Sequence, residues 1–138
     1  MNPRLLRAYR QTRYEADGVT VFVDHRSPAM DALLRRHGAR VGVFVTAWNP
    51  MSRRMPAGWN ARMQRALGER LRRVTVLPAE GAWRGWREAH LLVLGDPIRV
   101  RVLARLFRQQ AVLVVRVGHA TKLEVVGIGS AVAFGKQA

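Results

Sequence analysis

Arg40-Val41-Gly42-Val43-Phe44-Val45-Thr46 (RVGVFVT) is the clearest buried strand in the chain: short, β-branched and apolar, and closed off by the breaker-rich stretch that follows it. Upstream, Ser27-Pro28 starts a helix, with Ser27 as N-cap and Pro28 in the first turn, and Gly38 suits its end. Before that, Val19–Asp24 reads as a strand, Asp17-Gly18 as a turn and residues 3–15 as a helix with an arginine face. Downstream, Ala47–Trp59 is a loop broken by Pro50, Pro56 and Gly58. Asn60–Arg73 is an amphipathic helix with Met63, Leu67 and Leu71 on its apolar side. Thr75–Leu77 is a short strand stopped by Pro78, and Ala79–Arg87 a loop holding Trp83 and Trp86. His90–Leu94 is a strand, Asp96 caps a helix over Ile98–Arg108, and Ala111–Val117 and Lys122–Val126 are the last two strands. Gly127–Ala138 reads as a tail.

This order predicts an α/β (α+β) fold: one domain, core about 9–126, with about four helices covering a mixed sheet of about six strands. A strand–helix–strand unit sends its two strands the same way. The strands beginning at Val19, Arg40 and Thr75 therefore share a direction, and those beginning at His90 and Ala111 oppose it. One edge of the sheet then collects Asp24, His25 and Arg26, then Thr46, Trp48 and Asn49, the Trp83–Trp86 loop, Glu88, and Gln109 with Gln110. Asn60 opens the helix beyond it. Ligands of α/β sheets sit at such strand ends. Glu88 is the candidate general acid or base, and His25 a second proton-transfer candidate. Asn49, Asn60 and Gln109 would orient a ligand, Trp48 would stack on it, and Arg26 or Arg108 would take an anion. Each residue also has a plain structural role open to it: Asn49 as a turn former, Asn60 as an N-cap, Trp48 as core, Gln109 as a partner for loop carbonyls, Glu88 as the ion-pair mate of an arginine.

Composition bounds the chemistry. The chain has 138 residues, no cysteine, and 24 Lys and Arg against 9 Asp and Glu; only Lys122 and Lys136 are lysine. Disulfide scaffolds, thiolate zinc sites and cysteine nucleophiles are excluded. The histidines at 25, 37, 90 and 119 show no metal-ligand spacing. No glycine-rich dinucleotide or phosphate loop follows the first strand, so no cofactor is expected. No apolar run is long enough to span a bilayer, which makes the cytoplasm the expected location and a membrane partner unexpected. The positive charge is spread over both halves. Its densest run, Arg4, Arg7, Arg10 and Arg13, together with Arg53-Arg54, supports an alternative reading as a nucleic-acid-binding module.

The segment Thr46-Ala47-Trp48-Asn49-Pro50, followed by Asn60-Ala61-Arg62 at a helix start, resembles the bacterial domain of unknown function 3293 family. The family's Glu before an apolar strand ending Leu-Gly is matched by Glu88 and Leu91–Gly95. Its Ala-Arg-x-Phe-Gly-Gln-x-Ala segment is matched by Ala104–Ala111, and its Tyr-x-x-Thr-x-Tyr pattern by Tyr9, Thr12 and Tyr14. The chain departs from the pattern at Arg108, where Gly is usual, and at Glu88-Ala89-His90, where Glu-Pro-Ser is usual. The resemblance supports these residues as the site and implies no activity. The expectation is a domain binding a small anionic or phosphate-bearing compound, or an enzyme acting on one.

Overall fold

The computed structural model describes residues 1–127. The expected tail lies outside them, apart from Gly127. Four helices, α1 (Pro3–Gln11), α2 (Pro28–Arg36), α3 (Ala57–Arg70) and α4 (Pro97–Leu106), accompany seven strands. These are β1 (Arg13–Ala16), β2 (Val19–Val21), β3 (Val41–Val45), β4 (Thr75–Trp83), β5 (Trp86–Leu94), β6 (Ala111–Arg116) and β7 (Lys122–Val125). They form one sheet in the order β2-β1-β4-β5-β3-β6-β7. The α+β class holds, with one more strand than expected.

Every neighbouring pair is antiparallel. The expected directions are nonetheless present: β2, β3 and β4 run together, opposed by β5 and β6. The sheet is not mixed because no two co-directional strands are neighbours. The chain links through α2 and α3 step over intervening strands. The sheet also curls. Asp24 N–H donates to the Thr121 carbonyl at 2.7 Å and Thr121 N–H to the His25 carbonyl at 2.9 Å, so the segment after β2 meets the segment before β7.

Four boundaries change for identifiable reasons. The first helix stops at Gln11, and Arg13–Ala16 becomes a strand paired with both β2 and β4. The Asp17-Gly18 turn, with φ +48° and +77°, closes this hairpin. β4 passes straight through Pro78, because β1 reaches only Ala79 and the missing N–H of Pro78 faces no neighbour. The expected 79–87 loop is instead the arm of a long hairpin. Trp83 pairs with Trp86 across Arg84 (φ +49°) and Gly85 (φ +78°), a two-residue turn of the kind that matches strand twist. α3 begins at Ala57 with Pro56 as its cap, so Asn60 lies inside the first turn and is not the N-cap. The cap at Ser27, accepting from Met30 N–H at 3.0 Å, and the cap at Asp96, accepting from Ile98 N–H at 2.9 Å, form as read.

β3 shows why RVGVFVT needed burial on both sides. Val43 and Val45 pack with Leu67 and Leu71 of the α3 region and with Val100, Leu103 and Ala104 of α4. Phe44 points the other way, into a cluster with Met30, Leu33 and Leu34 of α2, Tyr14 and Leu92. Full burial of each such side chain stabilises the fold by roughly 1.5–3 kcal/mol. Gly42 belongs to the α2 side, where an added Cβ would lie 3.0 Å from Leu92 Cδ1 and 3.2 Å from Leu34 Cδ2. Among the described residues no helix is long and apolar enough to cross a membrane.

Candidate functional site

Period-two alternation puts Glu88, His90 and Leu92 of β5 on the face that carries α2. In register, Val21, Tyr14, Gly81 and Glu88 form one row across β2, β1, β4 and β5. Gly81 contributes no side chain to that row. An added Cβ there would stand 3.1 Å from His90 Cε1 and 3.2 Å from Tyr14 Cε1. The row opens into a cavity of about 460 Å³. α1 covers it with Leu5, Ala8 and Tyr9, and the sheet supplies Tyr14, Phe44 and His90. Trp48, Asn49, Glu88 and Gln109 come from the strand ends, and Arg54, Arg84, Trp83 and Trp86 stand at the mouth.

Asn49 is the pivot of the polar wall. Its backbone is left-handed at φ +48°, a conformation asparagine tolerates better than most residues. Its N–H donates to Asn60 Oδ1 at 3.0 Å, and Asn60 Nδ2 donates back to Asn49 Oδ1 at 2.9 Å. Met55 N–H donates to the same Oδ1 at 2.9 Å. This leaves Asn49 Nδ2 to donate to Glu88 Oε2 at 2.7 Å, where Trp86 Nε1 also donates at 3.0 Å. The carboxylate is thus held through one oxygen by two donors. Glu88 Oε1 has no hydrogen-bond partner among the described residues.

The rest of the strand end is tied down in the same way. Thr46 Oγ1 donates to the Ala89 carbonyl at 2.6 Å and accepts from Trp48 N–H at 3.0 Å. Gln64 Oε1 accepts from Ala47 N–H at 2.9 Å. Gln109 Nε2 donates to the Trp48 carbonyl at 3.0 Å. Met51 and Ser52 are also left-handed, and the loop they form is anchored where Met51 N–H meets the Arg108 carbonyl at 2.7 Å. Three consecutive-region non-glycine residues with positive φ mark a loop held in place by its surroundings.

Burial sets the protonation states. His90 is pushed below the ordinary imidazole value, chiefly by desolvation, against opposing effects of Glu88 and Glu80. Its Nδ1 lies 3.1 Å from the Glu88 carbonyl, which can only accept, so Nδ1 carries the proton and Nε2 is a bare acceptor. The Tyr9 phenol is pushed up to about 12 by burial and then by the charge of Glu88. Tyr14, edge-on to His90 at 5.6 Å between centroids, is also raised by burial. The mouth is cationic: Arg54 lies 4.9 Å over Trp86 and Arg84 lies 5.0 Å over Trp83. The cavity can therefore accept hydrogen bonds deep inside, stack flat groups along its sides and attract anions at its rim.

Of the residues singled out in the sequence, Glu88, Trp48, Asn49 and Gln109 line this cavity, and Asn60 supports it from behind. His25 and Arg26 do not join them. His25 lies beside Thr121, and Arg26 reaches toward Asp31 at 4.0 Å. Strand-end logic treated the sheet as flat, whereas its curl carries the end of β2 away toward β7. Arg108 is likewise absent from the lining. Of the arginines weighed for nucleic acid, Arg54 lines the mouth, while Arg4, Arg7, Arg10, Arg13 and Arg53 are exposed. His90 lies outside the candidates drawn from the sequence, although its place two residues after Glu88 on a strand is an available signal. Tyr9, Thr12 and Tyr14 appeared only as a family pattern, and all three line the cavity. Among the described residues no cluster of His, Asp or Glu could hold a metal ion.

Residues 45–112 match the model of a family described as protein of unknown function (DUF3293), the family that the TAWNP segment resembles. The matched stretch runs from the end of β3 into β6 and contains Asn49, Asn60, Gly81, Glu88, His90 and Gln109. No curated protein and no solved structure matches the chain.

Proposed function

We propose that this chain, whose residues 45–112 match the DUF3293 family, is a cytoplasmic bacterial protein that binds a small, flat organic anion in its cavity. The observation that carries this reading is Glu88. A carboxylate on the cavity wall is fixed through Oε2 by Asn49 and Trp86, and Oε1 is left for a ligand. Holding an anchor group rigid lowers the entropy lost on binding. Trp48 and the mouth indoles offer stacking faces, and Arg54 and Arg84 favour a negatively charged substituent at the rim. The same pocket holds two groups that could move a proton on a bound compound, Glu88 and the neutral His90 imidazole.

The reading is tested by thermal shift and tryptophan fluorescence against a panel of aromatic acids and phosphorylated metabolites. The expected result is stabilisation of the wild-type protein by at least one compound, lost in Glu88→Gln and Asn49→Ala. A compound that stabilises both variants as well as wild type overturns the assignment of the site.

A second reading, as a nucleic-acid-binding module, is favoured by one feature: Arg4, Arg7 and Arg10 stay exposed on α1, and among the described residues only Arg10 has a carboxylate near it, Asp24 at 3.3 Å. Under it, Arg7→Gln with Arg10→Gln would lower the salt slope of RNA or DNA retention. Retention unchanged by an increase of about 100 mM salt overturns it.

A further inference from the structure

The cavity has specific unmet hydrogen-bonding needs. Glu88 Oε1 accepts from no described residue, since both protein donors go to Oε2. His90 Nδ1 is engaged with the Glu88 carbonyl, and Nε2 has no partner among the described residues. Trp48 lines the same cavity with its ring, but its indole N–H is itself buried, has no acceptor among the described residues and is not presented to a ligand. The wall thus presents two acceptors, one of them anionic. Both acceptors are open to solvent from the cavity, so a ligand with matching donors is favoured over one that displaces that water and pairs with neither.

The complement is a flat ring with two donors on one edge. Among the common nucleobases, guanine alone has that edge: N1–H and the N2 amino group side by side, with O6 next to them. Adenine and cytosine set a ring acceptor beside their amino group, and uracil offers one ring N–H between two carbonyls. Charge fixes the orientation. Glu88 repels an anionic group from the interior. Arg54 and Arg84 are exposed at the mouth, stacked on Trp86 and Trp83 and without a carboxylate partner among the described residues. A volume of about 460 Å³ is in the usual range for small-molecule sites.

We propose, resting on the pocket reading above, that the ligand class is a guanine nucleotide, with the N1–H and N2 edge of its base against Glu88 and His90, its ring beside Trp48 and its phosphate between Arg54 and Arg84.

The experiment is isothermal titration of the full chain with GMP, AMP, CMP, UMP, guanosine, ribose 5-phosphate and 4-hydroxybenzoate. GMP should bind at least tenfold tighter than the other three nucleotides, and tighter than guanosine by a margin that shrinks as salt is raised. Arg84→Ala, at an exposed turn, should lower GMP affinity toward the guanosine level, with Arg54 keeping part of the margin, and leave guanosine unchanged. Glu88→Gln, checked for folding by circular dichroism, should cost GMP at least tenfold, because its amide would oppose N1–H with a donor. Binding of 4-hydroxybenzoate or another nucleotide as tightly as GMP, with the same dependence on Glu88, overturns the guanine assignment and leaves the pocket reading standing. Absence of binding by every compound here overturns the guanine assignment; if the wider panel of aromatic acids and phosphorylated metabolites also fails, the pocket reading falls with it.

Discussion

His90 joins site and stability in one side chain. It is half-buried against Tyr14, and the nearby charges are Glu88 and Glu80, with the Tyr9 phenol close to Glu88. Desolvation holds its folded-state pKa below the unfolded value of 6.5. Between those two values the unfolded chain binds the proton and the native state does not. The stability tied to the neutral imidazole is therefore complete above about pH 6.5 and is lost as pH falls through and below it. The slope from this one group cannot exceed about 1.4 kcal/mol per pH unit. Urea unfolding from pH 7.5 to 5.0 should show stability falling toward acid, with a shallower fall in His90→Gln. Equal slopes in the two proteins would show that His90 titrates freely in the folded state. The role of His90 also explains why the site was only partly legible. Glu88 stood out as a lone acid at a strand start, whereas a neutral histidine followed by an apolar run looks like core until its ring is seen beside a cavity.

At the scale of elements, sequence pattern located strongly apolar segments well and short polar ones badly. RVGVFVT, the Ser27 cap and the Asp96 cap were readable because local chemistry decides them. β1 was not, since Arg13-Tyr14-Glu15-Ala16 continues a helical arginine spacing and becomes a strand only by pairing with β2 and β4. Pro78 misled because a proline forbids a central strand only where a neighbour needs its N–H. The α4–β6 junction makes a further test possible. Arg108 has φ +58°, at the position where the family pattern has Gly. A left-handed L-residue costs about 1–2 kcal/mol, against about 0.5–1 kcal/mol for the extra unfolded-state freedom of glycine. Arg108→Gly should therefore stabilise the protein by roughly 0.5–1 kcal/mol, read as a higher urea midpoint with an unchanged slope. The Met51 N–H bond to the residue 108 carbonyl is made by backbone and should survive the change. A lower midpoint would mean that the Arg108 side chain contributes more than its backbone strain costs.

For the whole molecule, the directions of the strands followed from the order of elements, but their neighbours did not. Which strands sit side by side depends on how the links through α2 and α3 step across the sheet, and the curl that moves His25 and Arg26 off the site is a property of all seven strands. Charge is likewise a collective property. The chain carries a formal +15, and the described residues form four ion pairs: Arg10–Asp24, Arg26–Asp31, Arg87–Glu80 and Arg101–Glu124. Surface pairs contribute little, typically about 0–1 kcal/mol each, and salt weakens them. Repulsion among the remaining arginines acts against the compact state, and salt weakens that too, since the screening length falls from about 30 Å at 0.01 M to about 8 Å at 0.15 M. With so many more arginines than acids, repulsion is the larger of the two effects. Raising sodium chloride from about 10 to 150 mM, a range over which this screening develops, should therefore raise the melting temperature. Sodium sulfate at matched ionic strength should raise it further, because sulfate also strengthens apolar burial. A melting temperature that falls over this range would show that the four pairs outweigh the unpaired arginines, and that the arginine surface is held in place by its own contacts instead of standing open to anions.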